Sequence, residues 1–135
     1  MSLYYQMNTI YHLLGIGLAG AIGTLSRYGV SVGAAALFGT SYPWGTYLVN
    51  MVGCFLFGVA SGLIANGSLS TEWKTILLTG FLGGFTTFSA FAAENQQFLS
   101  EQRWNALIFH LAGQNLLGIA AVFGGLLLVN ALLHQ

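Results

Sequence analysis

The sequence predicts an all-α integral membrane protein of four transmembrane helices, a single domain over residues 1–135. Its composition is 56% hydrophobic and only 4% charged, against roughly a quarter charged in an ordinary soluble domain. The charges are Arg27, Lys74 and Arg103 against Glu72, Glu94 and Glu101, and the uncharged stretches between them are long enough for spans of about 20 residues. The 19 glycines are concentrated inside those stretches, where small residues let helices approach closely in lipid. Net charge is zero, which leaves no basic surface for nucleic acid.

Helix 1 is expected over about residues 9–30. It carries the apolar run Gly15 to Gly23 without a small-residue cleavage site, so it reads as a retained span and not a signal peptide. A Gly- and Ala-rich stretch then leads to the single proline, Pro43, which marks the start of helix 2 at about 45–65. Asn66 to Ser70 is a turn whose Ser70 or Thr71 can cap helix 3, with Glu72 well placed in the first turn. Helix 3 is expected over about 73–99 with a break at its centre, where Gly80-Phe81-Leu82-Gly83-Gly84-Phe85-Thr86-Thr87 weakens the helical ladder. Backbone unwound at membrane depth must be buried in protein or line a wet cavity. Helix 4 fills about 104–133.

Cys54 is the sole cysteine, so there is no internal disulfide and no thiolate metal cluster. The few basic residues give neither orientation an advantage under the positive-inside rule, which leaves the chain free to insert both ways and to pair as an antiparallel, dual-topology dimer.

Polar residues inside spans are functional candidates by default, with hydrogen bonding between helices as the structural alternative. Thr46, Asn50, Cys54 and Gly58 share one face of helix 2, and Asn50 is read as either interhelical glue or an anion-binding amide. Phe88 and Phe91 share a face of helix 3 with Ser89 between them and Asn95 continuing the line. Such pairs usually pack, but their positive ring edges can also line a narrow anion path. Helix 4 adds His110, Gln114 and Asn115 to a polar track. Glu94 falls near a vestibule mouth or a helix end. Arg27 either attracts anions or bonds the carbonyls of a broken helix. No paired carboxylates, activated nucleophile or catalytic-metal spacing is present, so the chain does not read as an enzyme. Amide, hydroxyl, aromatic-edge and arginine donors favour translocation of an anion over that of a cation.

The motifs Gly23-Thr24-Leu25-Ser26-Arg27-Tyr28, Gly45-Thr46-Tyr47-Leu48-Val49-Asn50 with Gly53, and Gly80 to Phe91 together resemble the Fluc (CrcB) family of fluoride channels over nearly the whole chain. The resemblance implies a passive, fluoride-selective channel in the bacterial inner (cytoplasmic) membrane, exporting cytoplasmic fluoride through two pores of an antiparallel homodimer. It also implies a central structural Na+ held by the main-chain carbonyls of Gly83 and Thr86. Asn50, Phe88, Phe91, Ser89 and Thr87 match the family's pore residues, Gln114 falls on the helix 4 track, and Arg27 and Glu94 match family positions. Ala90 and Ala92 stand where relatives carry hydroxyls, and Gln114 stands where many place Ser. Pairing with a sister subunit is an alternative to the homodimer. Two rival readings compete with this one. A small dual-topology multidrug exporter is opposed by the absence of a carboxylate in helix 1, and a non-transporting membrane subunit leaves the aligned polar residues unexplained.

Overall fold

The computed structural model describes residues 2–133, with side chains described from residue 9 onward. Its first helix, α1 (Ser2–Phe38), has 37 residues. At 1.5 Å per residue it is about 55 Å long, well beyond the roughly 30 Å hydrocarbon core of a bilayer. The end expected near residue 30 is corrected: the helix runs on because Ala34, Ala35 and Ala36 are the strongest helix formers and outweigh the lone Gly33. Gly39 stops it at φ 77°, a left-handed conformation that suits glycine, with its N–H closing onto the Ala35 carbonyl at 3.0 Å.

Pro43 occupies the N-cap position of α2 (Trp44–Ala65), where its missing N–H costs nothing. The helix ends through Asn66 and Gly67, the latter at φ 70°. Ser70 then caps α3 (Thr71–Thr75) by accepting from the Trp73 N–H. A wider π-helical segment follows at Ile76–Leu82, then the short α4 (Gly83–Phe85). Thr86 and Thr87 are extended, at φ −78°, ψ 160° and φ −148°, ψ 110°. The chain resumes as α5 (Phe88–Ser100), whose N-terminus is capped by Thr87 Oγ1 accepting the Ala90 N–H at 3.2 Å. After a tight connection through Gln102, α6 (Trp104–Leu133) completes the chain.

Among the described residues, four stretches are long and apolar enough to cross a membrane: Thr9–Phe38, Trp44–Ala65, Thr71–Ser100 and Trp104–Leu133. Only 6% of the most apolar α1 window is buried within the chain, so this surface needs lipid or another protein to cover it.

Two glycine seams hold the bundle together. Along the first, α2 lies against α6: a Cβ on Gly58 would collide with the Val122 carbonyl, one on Gly125 with the Phe55 carbonyl, and one on Gly62 would stand 2.8 Å from Val129 Cβ. Along the second, α1 lies against the π-helical segment and α4: a Cβ on Gly80 would come 2.8 Å from the Ile16 carbonyl oxygen, and one on Gly84 would strike that of Gly20. Both Gly-x-x-x-Gly pairs therefore face backbone or β-branched neighbours. Without a hydrophobic drive between helices in lipid, this close packing supplies the attraction.

The seam predicts the effect of one methyl group. Gly58→Ala forces the α2 and α6 backbones apart and is expected to destabilise the fold by about 1–3 kcal/mol, the usual range for overpacking. Gly124→Ala, which meets nothing of its own chain within 4 Å, is expected to be neutral or slightly stabilising. Thermal unfolding in detergent checks both, and equal melting temperatures for the two variants would contradict the seam.

Candidate functional site

Where Thr86 and Thr87 leave the helical ladder, their backbone groups need other partners, since lipid supplies none. Asn50, from the middle of α2, provides them. Its Oδ1 accepts the Thr87 N–H at 2.9 Å, and its Nδ2 donates to the Thr87 carbonyl at 3.2 Å and to Gln114 Oε1 on α6 at 2.7 Å. Gly53, one turn further along α2, makes room for this approach: a Cβ there would overlap the Thr86 methyl. On the opposite side, Arg27 of α1 donates from Nη1 to the Thr86 carbonyl at 3.2 Å, and Thr24 reaches the Gly84 carbonyl at 3.5 Å. Of the two sequence readings of Arg27, this contact is the carbonyl-bonding one.

The polar chain continues from Gln114. Its Nε2 lies 2.9 Å from His110 Nε2, and the same ring nitrogen lies 3.1 Å from Glu94 Oε2. Glu94 Oε1 accepts from Thr46 Oγ1 at 2.5 Å, and Tyr42 Oη lies 2.7 Å from His110 Nδ1. His110 is fully buried, with Phe91 stacked on it at 5.4 Å between centroids and with Tyr42 and Phe98 meeting it edge-on. Burial, then the proximity of Tyr47 and Glu94, raise the Tyr42 phenol well above its ordinary range and keep it protonated.

Phe88 and Phe91 are 5.6 Å apart at 46°, and both rings border the same space. Phe88 is 78% exposed. A cleft of about 480 Å³ runs along this site, and its walls include Asn50, Thr87, Phe88, Phe91 and Gln114 together with Gly83 and Thr86. Ser89 is exposed beside it, its hydroxyl 3.3 Å from Thr87 Oγ1. Glu94 instead borders a separate cavity of about 220 Å³ with Thr46 and Tyr42, where α1 turns into α2.

Most of the sequence-derived candidates thus converge on one cleft, with exceptions. Asn95 does not continue the aromatic line, because its amide turns back to the Phe91 carbonyl at 2.8 Å. Asn115 borders the cleft but bonds back along its own helix to the Leu111 carbonyl at 2.7 Å, and not across to another helix. Sequence reading missed Tyr42, which lies in a connection without periodicity. It also missed the Thr46–Glu94 bond, although Thr46 shares the face of Asn50.

Asn50 satisfies two neighbours at once, so Asn50→Ala strands the Thr87 N–H and Gln114 Oε1. The expected cost is about 1–3 kcal/mol for each group left buried without a partner. Denaturant unfolding in detergent of Asn50→Ala, Gln114→Ala and the double variant should show coupling, the double costing less than the sum. Simple additivity would mean that the bond between them carries no weight.

The family described as CrcB-like protein, Camphor Resistance (CrcB), matches residues 14–126. A protein of Nitrosococcus oceani named fluoride-specific ion channel FluC is 53% identical over 114 residues, covering 84% of this chain and 91% of the relative. Proteins of the same name from Solidesulfovibrio magneticus and Maridesulfovibrio salexigens are 48% and 40% identical, covering 84% and 88% of this chain and 91% and 95% of theirs. With four membrane-crossing stretches and this similarity along most of its length, the chain is a multi-pass membrane protein belonging to the CrcB family.

Proposed function

We propose that this chain is a passive fluoride-selective channel that exports cytoplasmic fluoride across the bacterial cytoplasmic membrane. The relatives from Nitrosococcus oceani, Solidesulfovibrio magneticus and Maridesulfovibrio salexigens are named fluoride-specific ion channels. The observation that carries the reading is the cleft beside Thr86 and Thr87, lined by the amide-bearing Asn50 and Gln114 and by Phe88 and Phe91. Fluoride passing there exchanges water for amide and hydroxyl hydrogens and positive ring edges, none of which carries a full charge. Weak, multiple donors let the ion leave as readily as it enters. The Asn50 amide is already engaged by Thr87 and Gln114, so the anion competes for these hydrogens, which further weakens its hold.

The same proposal takes the extended pair Thr86–Thr87 as the break of a single membrane-crossing helix running Thr71–Ser100, and takes the working unit as an antiparallel, dual-topology dimer with two pores. The exposed apolar stripe of Leu14, Leu18, Ile22 and Leu25 on α1 supports a partner surface, homodimeric or from a sister subunit. A structural Na+ fits the backbone here. The Thr87 N–H that would regularly close onto the Gly83 carbonyl goes to Asn50, and the Thr86 carbonyl spends one lone pair on Arg27 and keeps another. These hard carbonyl oxygens suit an alkali cation, and one chain offers only half a shell, the other half falling to the inverted copy. Bound there, the ion would neutralise carbonyls of the break and fix its shape.

A non-transporting role remains the second reading because every Asn50 polar atom has a partner within the chain. Liposomes loaded with fluoride or chloride separate the two. Purified protein should release fluoride rapidly and chloride not at all, read by ion electrodes. Phe88→Ile, which removes an aromatic edge of about 1 kcal/mol, should slow release about fivefold. Replacing Na+ by a bulky organic cation should lower both flux and thermal stability. No fluoride release from folded dimers would favour the structural reading.

A further inference from the structure

The hydrogen bonds leaving Thr87 run in a fixed direction. A backbone N–H can only donate, so Asn50 turns Oδ1 toward Thr87 and Nδ2 toward Gln114 Oε1. Gln114 must then turn its NH₂ toward His110 Nε2, 2.9 Å away, and that bond forms only when Nε2 is bare. The same nitrogen stands 3.1 Å from Glu94 Oε2, and an ionised carboxylate can only accept. Nε2 therefore cannot serve both neighbours: it carries a proton for Glu94 or offers its lone pair to Gln114. Tyr42 at Nδ1 suits either state, since a hydroxyl both donates and accepts. His110 is 0% exposed, so solvent does not replace the lost partner.

We infer that His110 and Glu94 form a proton-binding site linked to the cleft, so that protonation of His110 frees the Gln114 amide for an anion and tightens its binding. The inference rests on the channel reading and deepens it. In neutral His110 the single ring proton sits on either nitrogen, and when it sits on Nδ1 a Gln114 hydrogen is taken up by Nε2. In the imidazolium both nitrogens carry protons, Nε2 always faces Glu94, and the Gln114 hydrogen is available at the cleft wall, with a positive charge one residue behind it.

The groups facing His110 are few. Tyr42 comes from the α1–α2 connection, held protonated by burial. From α2 comes Tyr47, with rings 6.2 Å apart and a buried hydroxyl that has no hydrogen-bond partner. Glu94, Phe91 and Phe98 come from α5, with Arg103 on Phe98 at 4.8 Å. Among the described residues, Glu94 is thus the sole charged group in direct contact with His110.

Linkage sets the sign. Anion affinity is highest below the His110 midpoint and falls as pH rises through it, and bound anion must raise that midpoint in turn. The test is an NMR pH titration of ¹⁵N-labelled His12→Gln/His134→Gln protein, in which His110 is the sole histidine, with sodium fluoride or sodium chloride at equal ionic strength. Fluoride, and not chloride, should raise the His110 midpoint by about one pH unit, a coupling of about tenfold, while the Gln114 side-chain amide signal shifts with it. Amide signals that respond to fluoride with an unmoved His110 midpoint would overturn the linkage and leave the channel standing. If neither signal responds to fluoride, the channel reading falls and this inference falls with it.

Discussion

A backbone that leaves its helix in an apolar surrounding must find partners for every N–H and C=O it releases, and the rest of this structure follows from that requirement at Thr86 and Thr87. Asn50 takes the Thr87 groups, and Arg27 takes the Thr86 carbonyl from the other side. An amide suits this task because it presents a donor and an acceptor in one plane and carries no charge to desolvate. The arginine on α1 has its charge partly met by a carbonyl dipole. Each contact also ties a different helix to the extended pair, so α1 and α2 are held by polar bonds at the place where α4 and α5 are separate.

Apolar packing brings those polar groups within reach. Glycines at 53, 58, 62 and 125 let α2 settle against α6 and the extended pair, and glycines at 80 and 84 do the same for α1. The small residues serve two ends: they make backbone-to-backbone contact the source of attraction in lipid, and they leave Asn50, Gln114 and Arg27 close enough to bond the exposed backbone. A helix pair spaced by larger side chains would leave these groups too far apart.

Beyond Asn50, polarity passes into an aromatic enclosure around His110, where Tyr42, Phe91 and Phe98 exclude water and Glu94 holds the imidazole through Nε2. Low polarity strengthens each of these bonds and raises the cost of a mismatched one. The direction of donation imposed at Thr87 is therefore felt at Glu94, four side chains away along Asn50, Gln114 and His110. The cleft and the smaller cavity beside Tyr42 lie at the two ends of this chain.

By itself the sequence determined the apolar spans, the small-residue faces and the shared face of Thr46, Asn50 and Gly58, because these depend on composition and on a helical period that neighbours do not alter. It also marked Gly80 to Thr87 as a stretch where helix is weak. The Gly- and Ala-rich stretch after residue 30 hid the full length of α1, which runs on through Ala34, Ala35 and Ala36 to Phe38. Tertiary structure alone decided that Arg27 bonds Thr86, that Asn95 and Asn115 turn back on their own helices, and that Tyr42, Thr46, Glu94 and His110 meet. Such pairings join residues up to 68 positions apart, and no local rule of spacing connects them; they exist because close-packed helices bring polar atoms together where water cannot reach.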